Sequence, residues 1–365
     1  MYFSSLFLMP EQPSSSTTRL NYLDALRGIA SLMVVVYHFI GWRWENNAEF
    51  HWGAMLFNGS DAVSFFFVLS GLVLAYPYFQ RQRQWDFRSY YIRRVARIFP
   101  GFVVAVLLNY LYVHRHELPQ QFFNLFLFEA KPLWRELLLV KGVHQIFIPG
   151  WTLGVEMTMS LLLPLLIIAV QKQRQWLMVF PILSLIVAPA HLSMYSFHFS
   201  LGLYLAYHYQ TLQEQPWSQS RWYKHRYWLI SLFIILFSIR HIDRLYKLPD
   251  ALQNTLNFLN IDFFHLTGLA AFAFLYFIIR SPNAQRMLSI KPLVALGHIS
   301  YSLYLCHWVV VVYIMNHWDA WRVHFGSFQL QYFTLLALYL VLTAILSLLV
   351  YRWVEKPFIA WARRK

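Results

Sequence analysis

Residues 23–39, LDALRGIASLMVVVYHF, form an apolar stretch that contains one acid, one arginine and one histidine. With its neighbours, the stretch reaches the roughly 20 residues that a membrane-spanning helix needs. Asp24 and Arg27 lie three positions apart and can pair on one helix face. Arg27 and His38 return to the same face within ~20°, with a rise of ~16 Å between them. We therefore predict a charged pair at the cytoplasmic mouth of a span and an imidazole near mid-membrane.

Both polar features of this stretch have an ordinary alternative. Arg27 paired with Asp24 is also the arrangement of an interfacial anchor, because long cationic side chains extend to the membrane surface. His38 is harder to explain in this way, since ionisable groups deep in a membrane are costly and usually face a cavity or a partner. We therefore interpret His38 as a functional residue.

The whole chain has the composition of a polytopic membrane protein. Of its 365 residues, 58% are hydrophobic and 13% are charged, whereas soluble domains carry about 25% charged residues. A net charge of +14 suggests nucleic-acid binding in a soluble protein, but here the cations flank apolar segments. We predict membrane lipids, and no nucleic acid, as partners. The single cysteine, Cys306, allows no internal disulfide and is expected to pack as an apolar side chain.

Apolar runs predict an all-α integral membrane protein with about ten transmembrane helices around a central catalytic cavity. The runs lie at 22–42, 56–79, 94–114, 151–171, 176–190, 193–210, 227–240, 261–280, 293–315 and 330–354. The fifth and seventh runs are short, so the expected number of spans is about nine to eleven.

The distribution of lysine and arginine predicts the orientation. With a cytoplasmic N-terminus, roughly two-thirds of these residues fall on the cytoplasmic side, as the positive-inside rule expects. We predict that both termini are cytoplasmic. The expected parts are a flexible tail at 1–19, a transmembrane domain at 20–358 and a basic C-terminus at 359–365. The longest external connection, 115–150, is expected to hold interfacial helices or a re-entrant segment.

The third span begins with SYYIRRVARIFPG at 89–101. Arg94 and Arg97 share one helix face at the cytoplasmic entrance. Guanidinium groups suit phosphate recognition by paired hydrogen bonds, although ordinary positive-inside flanking is the alternative. Pro100 and Gly101 are expected to break or kink this helix and to open a local cavity.

The fourth span begins with PGWTLGVEMTMSLLLP at 149–164, and Glu156 lies five positions after Trp151. A carboxylate buried here requires a partner or a raised pKa. Orienting a catalytic group and accepting a hydrogen bond from a substrate hydroxyl are the candidate roles of Glu156. A simple anchor at the start of the helix is the alternative.

Three further segments carry polar residues. Ser70 and Gly71 interrupt the apolar run at 65–79 and indicate close helix packing. The segment 297–310, GHISYSLYLCHWVV, has a polar start that is typical of a cavity lining. YRWVEKPF at 351–358 predicts a helix stop, with Glu355 able to pair with the arginines of the third span.

Six segments in order resemble the acyltransferase-3 family of integral-membrane acyltransferases, which O-acetylate bacterial surface sugars. They are LDALRGIASLMVVVYHF, FFFVLSG, YYIRRVARIFP, PGWTLGVE, ISYSLYLCHW and YRWVEKPF. The most specific parts are the Arg-x10-His spacing of Arg27 and His38 and the Arg-x-x-Arg of Arg94 and Arg97. One departure is Met157, where many relatives have a second acid after the glutamate.

The resemblance implies transfer of an acyl group, commonly acetyl, from cytoplasmic acyl-CoA to a hydroxyl of a carbohydrate such as a surface polysaccharide or glycolipid. It implies a location in the cell inner (cytoplasmic) membrane and a general-base role for His38. It further assigns candidate roles by group. To Arg27, Arg94 and Arg97 it gives a part in binding the donor or in ordering the site. To these we add our own predictions: Asp24 or Glu156 helps to orient the catalytic site, and Trp151, Ser70, Tyr301 and His307 contact the substrate. We predict acyl-CoA as the donor substrate and no metal.

A second class of function uses the same polar residues. A transporter or flippase that moves an acyl group or a lipid-linked sugar, without making an ester, would use His38 and Glu156 as a proton relay. A thioester or ester hydrolase is disfavoured, because the sequence has no GxSxG nucleophile elbow.

Overall fold

A computed structural model describes residues 20–44, 53, 55–80, 86–116, 133, 136–139, 147–187, 190–259 and 261–365. The described chain is helical and contains no strand, which confirms the predicted all-α class. The tail predicted at 1–19 and most of the connection predicted at 115–150 lie outside the described residues.

The described helices are numbered α1 to α17 in chain order. They are α1 Asn21–Trp44, α2 Gly59–Gln80, α3 Phe87–Val113, α4 Gly150–Lys172, α5 Trp176–Val187, α6 Ala190–Tyr207, α7 Tyr209–Glu214, α8 Arg226–Phe237, α9 Ile239–Tyr246, α10 Asp250–Phe258, α11 Phe263–Ile279, α12 Pro282–Leu288, α13 Lys291–His298, α14 Ser300–Asn316, α15 Trp318–Trp321, α16 Phe328–Val350 and α17 Lys356–Ala362. A π-helical turn, Tyr351–Glu355, joins α16 to α17.

Within the described chain, five helical segments are long and apolar enough to cross a membrane alone. These are α1 to α4 and the continuous segment Phe328–Ala362. The number rises to seven if each of two bent pairs, α10 with α11 and α13 with α14, counts as one span. Helices α5 and α8 have 12 residues each, fewer than the ~20 that span the hydrocarbon. The multi-pass helical architecture is confirmed, but the count of about ten is not.

Polar contacts sort the helix ends into two sides. On one side, the hydroxyl groups of Tyr22 in α1 and Tyr209 in α7 are 2.6 Å apart, and Gln80 at the end of α2 donates to the Ala206 carbonyl at the end of α6. On the other side, the Asn58 amide before α2 donates to the Phe237 carbonyl at the end of α8 at 2.6 Å. These contacts place the start of α1 and the ends of α2 and α6 on one side of the bundle.

Two pairs of glycines bring helix backbones into direct contact. A Cβ atom at Gly71 in α2 would collide with the backbone of α6, and one at Gly202 in α6 would collide with the backbone of α2. Gly28 in α1 and Gly297 in α13 form a similar close approach. Small residues at helix crossings allow this packing inside a membrane. The close packing predicted at Gly71 is therefore confirmed.

Two prolines lie within continuous helical segments. Helix α3 continues through Pro100, so the predicted break is not seen there, and the kink that was its alternative stays a prediction. The helix stop predicted at Glu355–Pro357 is also wrong, because the π-helical turn leads directly into α17. The wider π turn just before Pro357 leaves room for the proline ring and its missing N–H, so the helical segment continues.

Candidate active site

A cavity of about 140 Å³ lies among α1, α2, α3, α4 and α14. Its lining includes six of the residues predicted for the site, from four different spans and the start of α14. These are Arg27, Ser70, Arg94, Arg97, Glu156 and Tyr301. The cavity therefore collects, in one place, the charged groups that the sequence distributes over separate segments.

Two of the cavity arginines are paired with carboxylates from the predicted set. The Arg27 Nη1 atom lies 3.2 Å from the Asp24 Oδ1 atom within α1. The Arg94 Nη2 atom lies 2.7 Å from the Glu156 Oε1 atom, and its Nε donates to the Ser160 hydroxyl at 3.1 Å. Asp24 and Glu156 thus hold the guanidinium groups in place, and the Arg94 pair ties α3 to α4.

The third arginine, Arg97, pairs with Glu355 of the π-helical turn. Glu355 is buried and also accepts a hydrogen bond from the Ser302 hydroxyl at 2.7 Å. The predicted pairing of Glu355 with the arginines of the third span is confirmed. The π-helical turn directs the Glu355 side chain towards Arg97 and Ser302. Such turns are frequent at functional sites.

Tyr301 closes the side of the cavity next to Arg97. Its hydroxyl donates to the Ile98 carbonyl at 2.5 Å, and the Arg97 guanidinium lies 5.5 Å from the centre of its ring. A Cβ atom at Gly101 would lie 3.1 Å from the Tyr301 ring. Gly101 therefore contributes by letting α14 approach α3, and not by breaking α3.

The three arginines and three carboxylates give the site a balanced formal charge. Each guanidinium has five N–H donors, and each of these ion pairs uses only one guanidinium nitrogen. Donors therefore remain for oxygen atoms of a bound anion. A bound phosphate group would compete with the three carboxylates for these guanidinium N–H donors.

His38 lies outside the set of residues that line this cavity. Its Nδ1 atom is 2.9 Å from the Val34 carbonyl oxygen and 3.3 Å from the Nε2 atom of His307 in α14. The two imidazole centres are 5.0 Å apart, and Trp308 packs edge-on against His38 at 5.5 Å. The structure thus brings together two predicted site residues that are 269 positions apart in sequence.

Tyr304 connects the histidine pair with the cavity. It lines the cavity, and its ring centre is 5.6 Å from that of His307. Its hydroxyl lies 2.7 Å from the Thr152 hydroxyl, which donates to the Pro149 carbonyl. Thr152 was not among the residues predicted for the site. Tyr304 belongs to the segment 297–310, whose polar start was predicted to line a cavity, but it was given no role of its own. The sequence signal for a role of Tyr304 beside His307 was its spacing, because residues three positions apart lie on the same helix face.

Trp151 occupies a different environment from the other predicted residues. Its ring packs against Tyr195 at 5.4 Å, in a small apolar cluster with Phe67 and Phe199. Met157, the position of the family departure, packs against the main hydrophobic core. Neither residue lines the described cavity.

Sequence reasoning also missed a buried ion pair. Asp61, in the first turn of α2, is fully buried and lies 3.0 Å from the Arg240 Nη1 atom. The Arg240 guanidinium covers the Phe264 ring at 3.9 Å. A lone acid in the first turn of an apolar span was the signal, because such a group needs a partner.

Among the described residues, no group of three or more His, Cys, Asp or Glu side chains is placed to hold a metal ion.

The helix bundle and its charge-balanced cavity define a polytopic membrane protein with an internal polar site. Residues 20–352 match the sequence model of the acyltransferase-3 family, which is described as an acyltransferase domain. The chain belongs to this family, as its six ordered segments predict.

Curated relatives include the O-acetyltransferase OatA of Staphylococcus aureus, in strains NCTC 8325 / PS 47 and COL. Each is 23% identical to this chain over 378 residues, which cover 92% of this chain and 56% of the relative. The chain therefore spans about half the length of these relatives. No solved structure matches it.

Proposed function

We propose that the chain is an O-acyltransferase of the cytoplasmic membrane. It moves an acyl group, most simply acetyl, from cytoplasmic acyl-CoA to a hydroxyl of a carbohydrate such as a surface polysaccharide or glycolipid. Family membership and the O-acetyltransferase relatives support this proposal. The observation that carries it is the His38–His307 pair, which Tyr304 links to a cavity lined by three arginines.

In the proposed reaction His38 acts as general base. The acceptor hydroxyl oxygen attacks the thioester carbonyl carbon while His38 takes the hydroxyl proton. The carbon–sulfur bond then breaks, and the sulfur of coenzyme A leaves with that proton. Imidazole is suited to both transfers near neutral pH.

The cavity arginines are the proposed donor-binding groups. Arg27, Arg94 and Arg97 offer N–H donors to phosphate oxygens of the donor. Asp24 and Glu156 hold two of these arginines, so we assign them positioning roles. Ser70 and Tyr301 line the same cavity and are proposed to contact the acyl donor, whereas Trp151 and His307 lie beyond its lining.

The proposal is tested with full-length protein in nanodiscs, labelled acetyl-CoA and a polysaccharide acceptor. The His38→Ala variant is expected to lose about 10²–10⁴-fold in ester formation, the contribution of a general base. Thiol release and the acetyl content of the acceptor measure it. His324→Ala is the matched control, because His324 is exposed in a short turn. Full activity of His38→Ala would contradict the proposed mechanism.

The transporter or flippase alternative predicts a different result in the same assay. It predicts neither thiol release nor an acetylated product, while a lipid-linked sugar would cross the bilayer of proteoliposomes. Mass spectrometry of surface polysaccharide from cells with and without the chain separates the two functions, since only an acyltransferase adds the mass of an acyl group to the repeating unit.

A further inference from the structure

The Nδ1 atom of His38 has two polar neighbours, and one of them fixes where the ring proton lies. The Val34 carbonyl oxygen, 2.9 Å away, can only accept a hydrogen bond. The neutral ring therefore carries its proton on Nδ1. In the opposite tautomer, lone pairs on Nδ1 and on the carbonyl oxygen would face each other across the same 2.9 Å.

The second neighbour is then an acceptor as well. The Nε2 atom of His307 lies 3.3 Å from the same Nδ1 atom, so it presents its lone pair to the His38 N–H. His307 is fully buried, and Tyr304 and Trp308 pack around it. Its ring is therefore held in one place beside His38.

We infer that His307 is a positioning residue for His38. It and the Val34 carbonyl hold the His38 ring in the Nδ1–H tautomer, and Nε2 of His38 is left as the nitrogen that reacts. This inference deepens the proposed function and rests on it for the role of Nε2. It replaces the substrate-contact role predicted for His307 from the sequence.

The arrangement separates the reacting proton from the proton that orients the ring. Nε2 of His38 accepts the proton of the acceptor hydroxyl and later gives it to the departing sulfur, so one nitrogen performs both transfers. The Nδ1 proton stays between the Val34 oxygen and the His307 Nε2 atom throughout. When the ring is positively charged, its Nδ1–H thus has two acceptors, and hydrogen bonds to a charged donor are the stronger ones.

The tautomer is measured directly by ¹⁵N NMR of the full-length protein labelled at histidine in detergent. The His38 signals are assigned by their loss in His38→Gln. We expect a protonated Nδ1 and an unprotonated Nε2 in the resting protein. A protonated Nε2 with an unprotonated Nδ1 would overturn the inference. This measurement needs no activity, so it stands even if the proposed reaction is wrong.

The role of His307 is measured with two variants of similar size. His307→Gln places an amide oxygen near the position of Nε2 and keeps an acceptor, whereas His307→Leu removes it. For histidines that bind a metal, loss of the partner that orients the ring costs about 10–100-fold in affinity or activity, and we take a loss of this size as the expectation for His38. We expect this loss in kcat for His307→Leu, with KM for donor and acceptor unchanged, and recovery of most of kcat in His307→Gln. Equal rates in the two variants, or a change confined to KM, would overturn the positioning role.

Discussion

At the scale of single residues, the pair formed by Arg97 and Glu355 combines stability with function. Glu355→Gln removes the buried charge and leaves the Arg97 guanidinium, 31% exposed, without its carboxylate. Because the Arg97 guanidinium remains partly exposed to solvent, we expect the free energy of unfolding to fall by about 1–3 kcal/mol. Breaking a fully buried ion pair would cost more. The melting temperature of the protein in detergent measures this loss.

The double variant Arg97→Gln with Glu355→Gln separates the effect of the ion pair on stability from the effect of Arg97 on donor binding. With both charges removed, the melting temperature is expected to rise above that of Glu355→Gln alone. The KM for acyl-CoA is expected to rise at least tenfold over the wild type, since one charge-assisted hydrogen bond is worth about 1.5–3 kcal/mol. A double variant no more stable than Glu355→Gln would show that the two charges are not coupled.

Sequence patterns predicted the charged part of the site better than the uncharged part. Arg94 and Glu156 stand out because an ionised group in an apolar span must find a partner, and the structure pairs them. Thr152 and Tyr304 carry no such signal, since hydroxyl groups are tolerated in membrane helices by bonding to backbone carbonyls, as Thr152 does. Their place in the site depends on which helices become neighbours.

At the scale of helices, the crossing of α2 and α6 controls the wall that carries Ser70. Gly71→Ala places a methyl group against the backbone of α6, and the helices must separate. Overpacking of this kind costs about 1–3 kcal/mol. We therefore expect a lower melting temperature and weaker acyl transfer. Gly326→Ala is the matched control, because nothing lies within 4 Å of a Cβ atom there.

An unchanged melting temperature in Gly71→Ala would show that the two helices do not touch at this point.

The same crossing shows how much a single sequence indicates about the packing of helices. The small residue at position 71 predicts a close approach, but Gly202 as its partner follows only from the packing of α6. Likewise, the sequence shows Pro357, whereas the π-helical turn before it depends on where Glu355 must point.

At the scale of the whole molecule, hydropathy predicts the helical class but not the number of crossings. Apolar content shows which segments avoid water, while crossing depends on how far each helix runs before it bends. The 66° bend between α13 and α14 divides one apolar run into two helices. That bend sets Ser300 beside α1, where its carbonyl accepts a hydrogen bond from Ser31 at 2.9 Å. The hydropathy pattern of the segment alone does not predict such a bend.

The proposed orientation is tested by labelling single cysteines from one side of the membrane. Cys306 is fully buried, so the unaltered chain should not react with a membrane-impermeant maleimide and serves as the control. Val323, 83% exposed between α15 and α16, belongs to the proposed external side, and Lys365 to the cytoplasmic side. We expect Val323→Cys to react in intact cells and Lys365→Cys to react only after permeabilisation. The reverse pattern would place the arginine-lined half of the bundle outside, where acyl-CoA is absent, and would contradict a cytoplasmic donor.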